Sequence, residues 1–147
     1  MQDARAIIDG LDLKPHPEGG WYRETWREPA VTGARAQATG ILFLLEAGQR
    51  SHWHRVDAAE FWIFNAGDPL KLLGAGGEAG EVAVEPVVLG SDVEAGQVIQ
   101  HLYPAGRWQS AEPLGRWTLV TCIVAPGFEF SGSELAPTGW NPPSLQD

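Results

Sequence analysis

Two histidines one residue apart, His52 and His54, stand ahead of a carboxylate, Glu60, in the stretch SHWHRVDAAEFWIFNAG (51–67). Imidazole nitrogens and carboxylate oxygens are the usual ligands of divalent transition metals, and the same groups serve as general acids and bases. On a strand, residues i and i+2 point to one face, so His52 and His54 are expected to converge. Glu60 arrives on the next strand after a turn through RVDAA and completes a two-histidine, one-carboxylate set. These residue types leave two chemistries open. One is a metal centre on His52, His54 and Glu60, and the other is a metal-free pocket in which the histidines bind substrate or move protons.

A second group lies in EGGWYRETWR (18–27), where Arg23 and Thr25 alternate with aromatic residues after a Gly-Gly turn. Arginine is suited to clamping a carboxylate or phosphate through two parallel hydrogen bonds. The alternative for Arg23 is an internal counter-ion for Glu24 or Glu60. Trp62, Trp108 and Trp117 are candidate pocket walls, since indole stacks on the apolar faces of sugars and other rings, although strand tryptophans also serve as plain core. His101 falls on the strand face opposite to Gln100 and Leu102 and reads as an outward or interface histidine.

The elements that must position these groups are short. Glycine (18) and proline (11) punctuate apolar segments, the texture of many strands joined by turns. Strands are expected in 20–26, 38–48, 59–67, 69–75, 82–90, 97–106 and 116–130, all biased to aromatic and β-branched residues. In 22–26, alternation puts Arg23 and Thr25 on one face and Tyr22, Glu24 and Trp26 on the other. Only the start looks helical, with Asp3 as cap and Ile7, Ile8 and Leu11 sharing a face. The proline-rich tail APTGWNPPSLQD reads as irregular surface wrapping. The expected class is all-β, a sandwich or barrel with a short N-terminal helix.

The whole chain, 147 residues and 44% hydrophobic, has the size of one domain, taken as 1–147. A formal charge of −9 argues against nucleic acid and anionic membranes as partners. The single cysteine, Cys122, lies inside an apolar run and forms no internal disulfide, which fits a buried hydrophobe in a reducing cytoplasm. No secretory leader and no apolar run of membrane-spanning length is recognised, so a soluble cytoplasmic protein is expected.

Gly48, His52, His54, Glu60 and Gly67 resemble the first motif of the cupin superfamily, a glycine before His-x-His, then a glutamate and a closing glycine. Three residues rather than the usual five separate Gly48 from His52. GQVIQHLYPAGRWQ resembles the second motif through Gly96, Pro104 and Gly106, with Gln109 where the last histidine ligand would fall. PHPEGGWYRETWR (15–27), residues 51–73, YPAGRWQSAE (103–112) and LVTCIVAPGFEFSGSEL (119–135) resemble the signatures of one branch, the Cupin_5 family, formerly domain of unknown function 985. The resemblance implies a double-stranded β-helix, the cupin jelly-roll barrel, commonly a homodimer, and no established reaction. Seven tryptophans, more than a small barrel readily buries alone, point to the same homodimer.

These observations favour a small-molecule-binding cupin, epimerase- or isomerase-like if an enzyme, acting on a polar or anionic, sugar-like metabolite. His54 is the expected catalytic base, with Arg23, Thr25, His52, Glu60, Trp62 and Gln109 around the substrate. A metal-dependent, dioxygenase-like cupin on His52, His54 and Glu60 and a non-catalytic binding protein are the alternatives. A divalent transition metal is not favoured, because an amide oxygen at Gln109 is a poorer ligand than imidazole.

Overall fold

The computed structural model describes residues 2–145; Met1, Gln146 and Asp147, including the last two residues of the tail, lie outside the described residues. The helix α1 spans Ala4–Gly10, and the Asp3 side chain accepts from the Arg5 amide at its start. Twelve strands follow: β1 Lys14–Pro15, β2 Trp21–Glu28, β3 Ala38–Glu46, β4 Ser51–Val56, β5 Ala59–Gly67, β6 Leu70–Gly76, β7 Val82–Ala83, β8 Val87–Leu89, β9 Gln100–Tyr103, β10 Trp108–Pro113, β11 Trp117–Ala125 and β12 Ser133–Leu135. They form two antiparallel sheets, one ordered β1-β2-β3-β11-β5-β9 and the other β12-β4-β10-β6-β7, with β8 also on β6. The chain is therefore all-β with one short N-terminal helix, the jelly-roll arrangement expected from sequence. Among the described residues, no helix is long and apolar enough to cross a membrane.

Between the sheets, Phe43, Leu45, Trp62, Leu70, Leu72, Tyr103 and Val120 form the central core. Fully burying each such side chain contributes about 1.5–3 kcal/mol. Each sheet also buries part of its outer face. Ala4 and Ile8 of α1 cover Leu44, Trp117 and Leu119 on the first sheet. On the second, Trp140 of the tail packs against Trp53 and Trp108, with ring centroids 6.2 and 4.7 Å away. Trp108 and Trp117 are thus core on outer faces and not pocket walls. Since Trp53, Trp62, Trp108 and Trp117 are all buried by the chain itself, tryptophan content does not by itself call for a second copy.

Two bulges break the strict alternation assumed from sequence. In β2, Glu24 pairs with Ile41 and Trp26 with Gly40, so two steps on β2 match one on β3. Past Thr25 the faces exchange. In β4, His54 pairs with Gln109 and Ser51 with Ala111, so three steps on β4 match two on β10. Here too the parity changes along the strand.

Gly67 closes β5 at φ +91°, and a Cβ there would meet the Trp117 carbonyl and indole. Gly67→Ala is expected to cost about 2 kcal/mol or more, from a strained φ together with the clash. Thermal unfolding would show it as a Tm lower by roughly 5 °C or more.

Candidate functional site

Backbone geometry between Pro15 and Trp21 decides which side chains enter the barrel. His16 and Gly20 close a turn in which the His16 amide donates to the Gly20 carbonyl at 2.9 Å. Gly20 sits at φ +81° with the Leu44 carbonyl and the Leu45 side chain where a Cβ would be, so no other residue fits without displacement. The segment is tied to β4 by the His52 amide, which donates to the Glu18 carbonyl at 2.9 Å. Two side chains, His16 and Glu18, are thereby inserted into the barrel.

They meet His54 and Glu60 in a cavity of about 190 Å³. His54 Nε2 lies 3.5 Å from Glu18 Oε1 and 3.9 Å from Glu60 Oε1. Its Nδ1 is 2.8 Å from the His52 carbonyl. A carbonyl only accepts, so Nδ1 carries a proton and Nε2 faces the two carboxylates. The Ser51 hydroxyl donates to Glu18 Oε1 at 3.4 Å, whereas the buried Glu60 Oε1 has no hydrogen-bond partner. His16 Nδ1 accepts from the Glu18 amide at 3.0 Å, which leaves the Nε2–H tautomer for His16. Tyr22, Phe43 and Trp62 supply aromatic walls, and Arg27, Glu24, Glu129 and Phe130 also line the cavity. Cys122, buried, lines it as well.

Burial alone would push the His54 imidazolium towards deprotonation, but the Glu18 charge, with Glu60 behind it, outweighs burial and raises its pKa to about 9. Burial, helped by the charge on His54, pushes His16 down to about 4. At Glu18, burial raises the carboxyl against the opposing charge of His54, and Glu60 adds to the rise. The site at neutral pH therefore holds a charged imidazole beside a neutral one. His54, expected as a base, is protonated and stands ready to donate.

The other expected site residues fall as follows. Glu60 and Trp62 line the cavity. Gln109 is buried beneath it, its Oε1 accepting from Trp62 Nε1 at 2.7 Å, so it orients the indole. His52 is not in the cavity: the β4 bulge turns it outward, where its Nε2 donates to the Pro137 carbonyl at 2.9 Å. Arg23 and Thr25 also leave the site, because on β2 the cavity takes Tyr22 and Glu24 before the bulge and Arg27 after it. Arg23 is exposed, and Arg55 is held outside by Glu78 and Glu134 at 2.9 and 3.0 Å, so neither neutralises Glu60. His101 packs edge-on against Tyr103, with centroids 4.8 Å apart. Sequence reasoning missed His16 and Glu18, although both stand in the quoted block PHPEGGWYRETWR.

The cupin metal centre can be tested against these positions. Five residues separate Gly48 from His54, not from His52, so His54 takes the first histidine's place and Val56 the second's. Val56 is buried against Ala58 and Val124. Gln109 replaces the third histidine and its oxygen is already engaged by Trp62. Among the described residues, no group of three or more His, Cys, Asp or Glu side chains is arranged to hold a metal ion. The residues present do not fit that centre, and the expected set of His52, His54 and Glu60 is not assembled.

Comparison with known proteins agrees with the architecture. The model of Cupin_5, described as Cupin superfamily (DUF985), matches residues 5–136. A protein from Shewanella oneidensis is 37% identical with a TM-score of 0.85, over 92% of this chain and 85% of that one. A hypothetical protein from Leishmania major is 32% identical with a TM-score of 0.82, over 92% and 88%. Oxalate decarboxylase from Bacillus subtilis, at 15% identity and a TM-score of 0.60 over 85% of this chain and 30% of that one, shares the fold alone. No curated protein matches the chain.

The titrations of His54 and His16 have opposite consequences for stability. The His54 pKa is raised from 6.5 to about 9, so its contribution is complete below about 6.5 and is lost as pH rises through about 9. The His16 pKa is lowered from 6.5 to about 4, so its contribution is complete above about 6.5 and is lost as pH falls through about 4. His54→Gln is expected to depress Tm by several degrees at about pH 6 and progressively less towards pH 10. His16→Gln should do so above about pH 7 and progressively less towards pH 4. Calorimetric scans across that range check both signs.

Proposed function

The chain belongs to the Cupin_5 family of the cupin superfamily, and on that premise we propose that it is a small-molecule enzyme of the isomerase type, moving a proton on carbon next to a carbonyl group. The observation that carries this is the buried cluster Glu18–His54–Glu60, in which an imidazolium donor and a carboxylate with an unused acceptor oxygen face one cavity. Proton abstraction beside a carbonyl needs a base at the carbon and a donor at the oxygen, and this pair supplies one of each.

Glu60 is the base. It takes the proton from the carbon adjacent to the carbonyl, and the C–H electron pair becomes the C=C bond of an enediol. His54 gives its Nε2 proton to the carbonyl oxygen. Return of a proton to the neighbouring carbon, or to the opposite face of the same carbon, completes an isomerisation or an epimerisation as an enediol O–H (that of the adjacent oxygen in the first case, that of the original carbonyl oxygen in the second) gives its proton back to His54 Nε2 and the C=O bond forms again. Glu18 keeps the imidazolium charged and in place, with Ser51 donating to it. Tyr22, Phe43 and Trp62 keep water from the reacting atoms. The metal-dependent alternative loses its support in Val56 and Gln109, which stand where imidazole ligands would be needed.

Solvent exchange tests this reading. Short aldoses, ketoses and related hydroxy-carbonyl compounds, incubated with the protein in deuterium oxide, are expected to gain deuterium at the carbon beside the carbonyl, read by proton NMR. Glu60→Gln and His54→Gln, each checked for folding by circular dichroism, should slow the exchange by about 100-fold or more. Compounds that bind without exchanging would leave a non-catalytic binding protein. Full exchange in Glu60→Gln would overturn the assignment of the base.

A further inference from the structure

Charge and size restrict what this cavity accepts, and from them we propose that its ligand is an uncharged, polyhydroxylated compound of monosaccharide size, and that anions are turned away. This specificity rests on the isomerase-type reading of the same site. The volume, about 190 Å³, corresponds to roughly six water volumes, enough for one sugar ring with its hydroxyls.

The lining is rich in carboxylates. Glu18 and Glu60 lie inside with His54 within 4 Å of both, and among the described residues the other imidazole near Glu18, His16 at 3.8 Å, is held neutral by burial. Among the lining residues Arg27 is the single arginine, there is no lysine, and Glu24 and Glu129 stand beside it. That guanidinium is already occupied, with Nε and Nη2 donating to the two oxygens of Glu24 at 2.7 and 3.1 Å. Among the described lining residues an entering carboxylate or phosphate finds no unpaired cation, and it meets two buried carboxyl groups in a medium that screens poorly. A hydroxyl group suits the same surroundings. Glu60 Oε1 is buried, has no hydrogen-bond partner and lacks only a donor. An O–H supplies that donor without adding charge. The ring faces of a sugar, which are C–H surfaces, fit against Tyr22, Phe43 and Trp62. A cationic amine would compete with His54 for the same carboxylates and set two positive groups side by side.

The test is a charge series measured by binding alone. Sugar alcohols and methyl glycosides, which have no carbonyl to react, are titrated into the intact protein by calorimetry beside the matching uronate and amino-sugar glycosides. The neutral compounds are expected to bind, with the uronate at least 10-fold weaker. Glu60→Gln should weaken the neutral compounds and narrow the gap to the uronate to a few-fold. Tighter binding of the uronate or the amino sugar, or no binding of any neutral member, overturns the proposal. Because no turnover is involved, the outcome separates from the exchange experiment. Neutral preference without deuterium exchange removes only the catalytic reading. Exchange confined to anionic substrates removes only this one.

Discussion

A charged imidazole inside a barrel is tolerable only when opposite charge is held within a few ångströms of it, and the placing of three chain segments around the cavity follows from that constraint. His54 comes from β4, Glu60 from β5 and Glu18 from the turn before β2. Removing either carboxylate would leave a buried charge less compensated, and removing His54 would leave two carboxylates facing each other in low dielectric. The Gly20 turn, the hydrogen bond from the His52 amide to the Glu18 carbonyl and the Ser51 hydroxyl are the means by which the 16–20 segment is held against β4. Fold and site are coupled here, since the first of the two sheets begins where the site is assembled.

Strands with strong apolar character were legible in the sequence. The β5 run AEFWIFNAG matches its observed bounds, and α1 starts at the expected Asp3 cap. The run 82–90 splits into β7 and β8 around Glu85-Pro86, because proline cannot donate to the ladder. Missed altogether was β10, WQSAEP, which has no β-branched residue and reads as a loop, yet is buried over its first four residues between β4 and β6. The site failed to be legible for a narrower reason. Face assignment by counting in twos assumes an unbroken ladder, and the bulges at 52–53 and at Thr25 each shift the count by one. His52 was placed inward by that rule and lies outward; Arg23, ahead of the Thr25 bulge, was set opposite Tyr22 and Glu24 as observed, but it is their face and not the arginine face that turns inward. His16 and Glu18 carry no periodic signal at all, because a turn and not a strand delivers them.

The same bulge bears on how the cupin motif should be matched to this chain. With five residues between it and Gly48, His54 takes the first histidine's place, and the histidine that then fails to appear is replaced by Val56, packed into the barrel against Val124. Gln109 has taken a different task, accepting from the Trp62 indole. Leaving that buried N–H unpaired would cost about 1–3 kcal/mol. Positions used for ligands elsewhere in the superfamily thus serve packing and orientation here, while the vacated polar work passes to a segment outside both motifs. The likeness to oxalate decarboxylase at 15% identity extends to the barrel and stops there.

Cys122 shares the cavity with Glu60, and its thiol is raised far above the ordinary range by burial first and then by the charges of Glu60 and Glu18. A thiolate is a strong nucleophile towards aldehydes and ketones, and one exposed to a carbonyl ligand would capture it as a hemithioacetal. Held as a thiol, the sulfur stays silent. Burial, with the carboxylates that keep His54 charged adding to it, thus holds the sulfur as a thiol, and on the isomerase-type reading a small polarisable side chain would pack beside a carbonyl compound without capturing it.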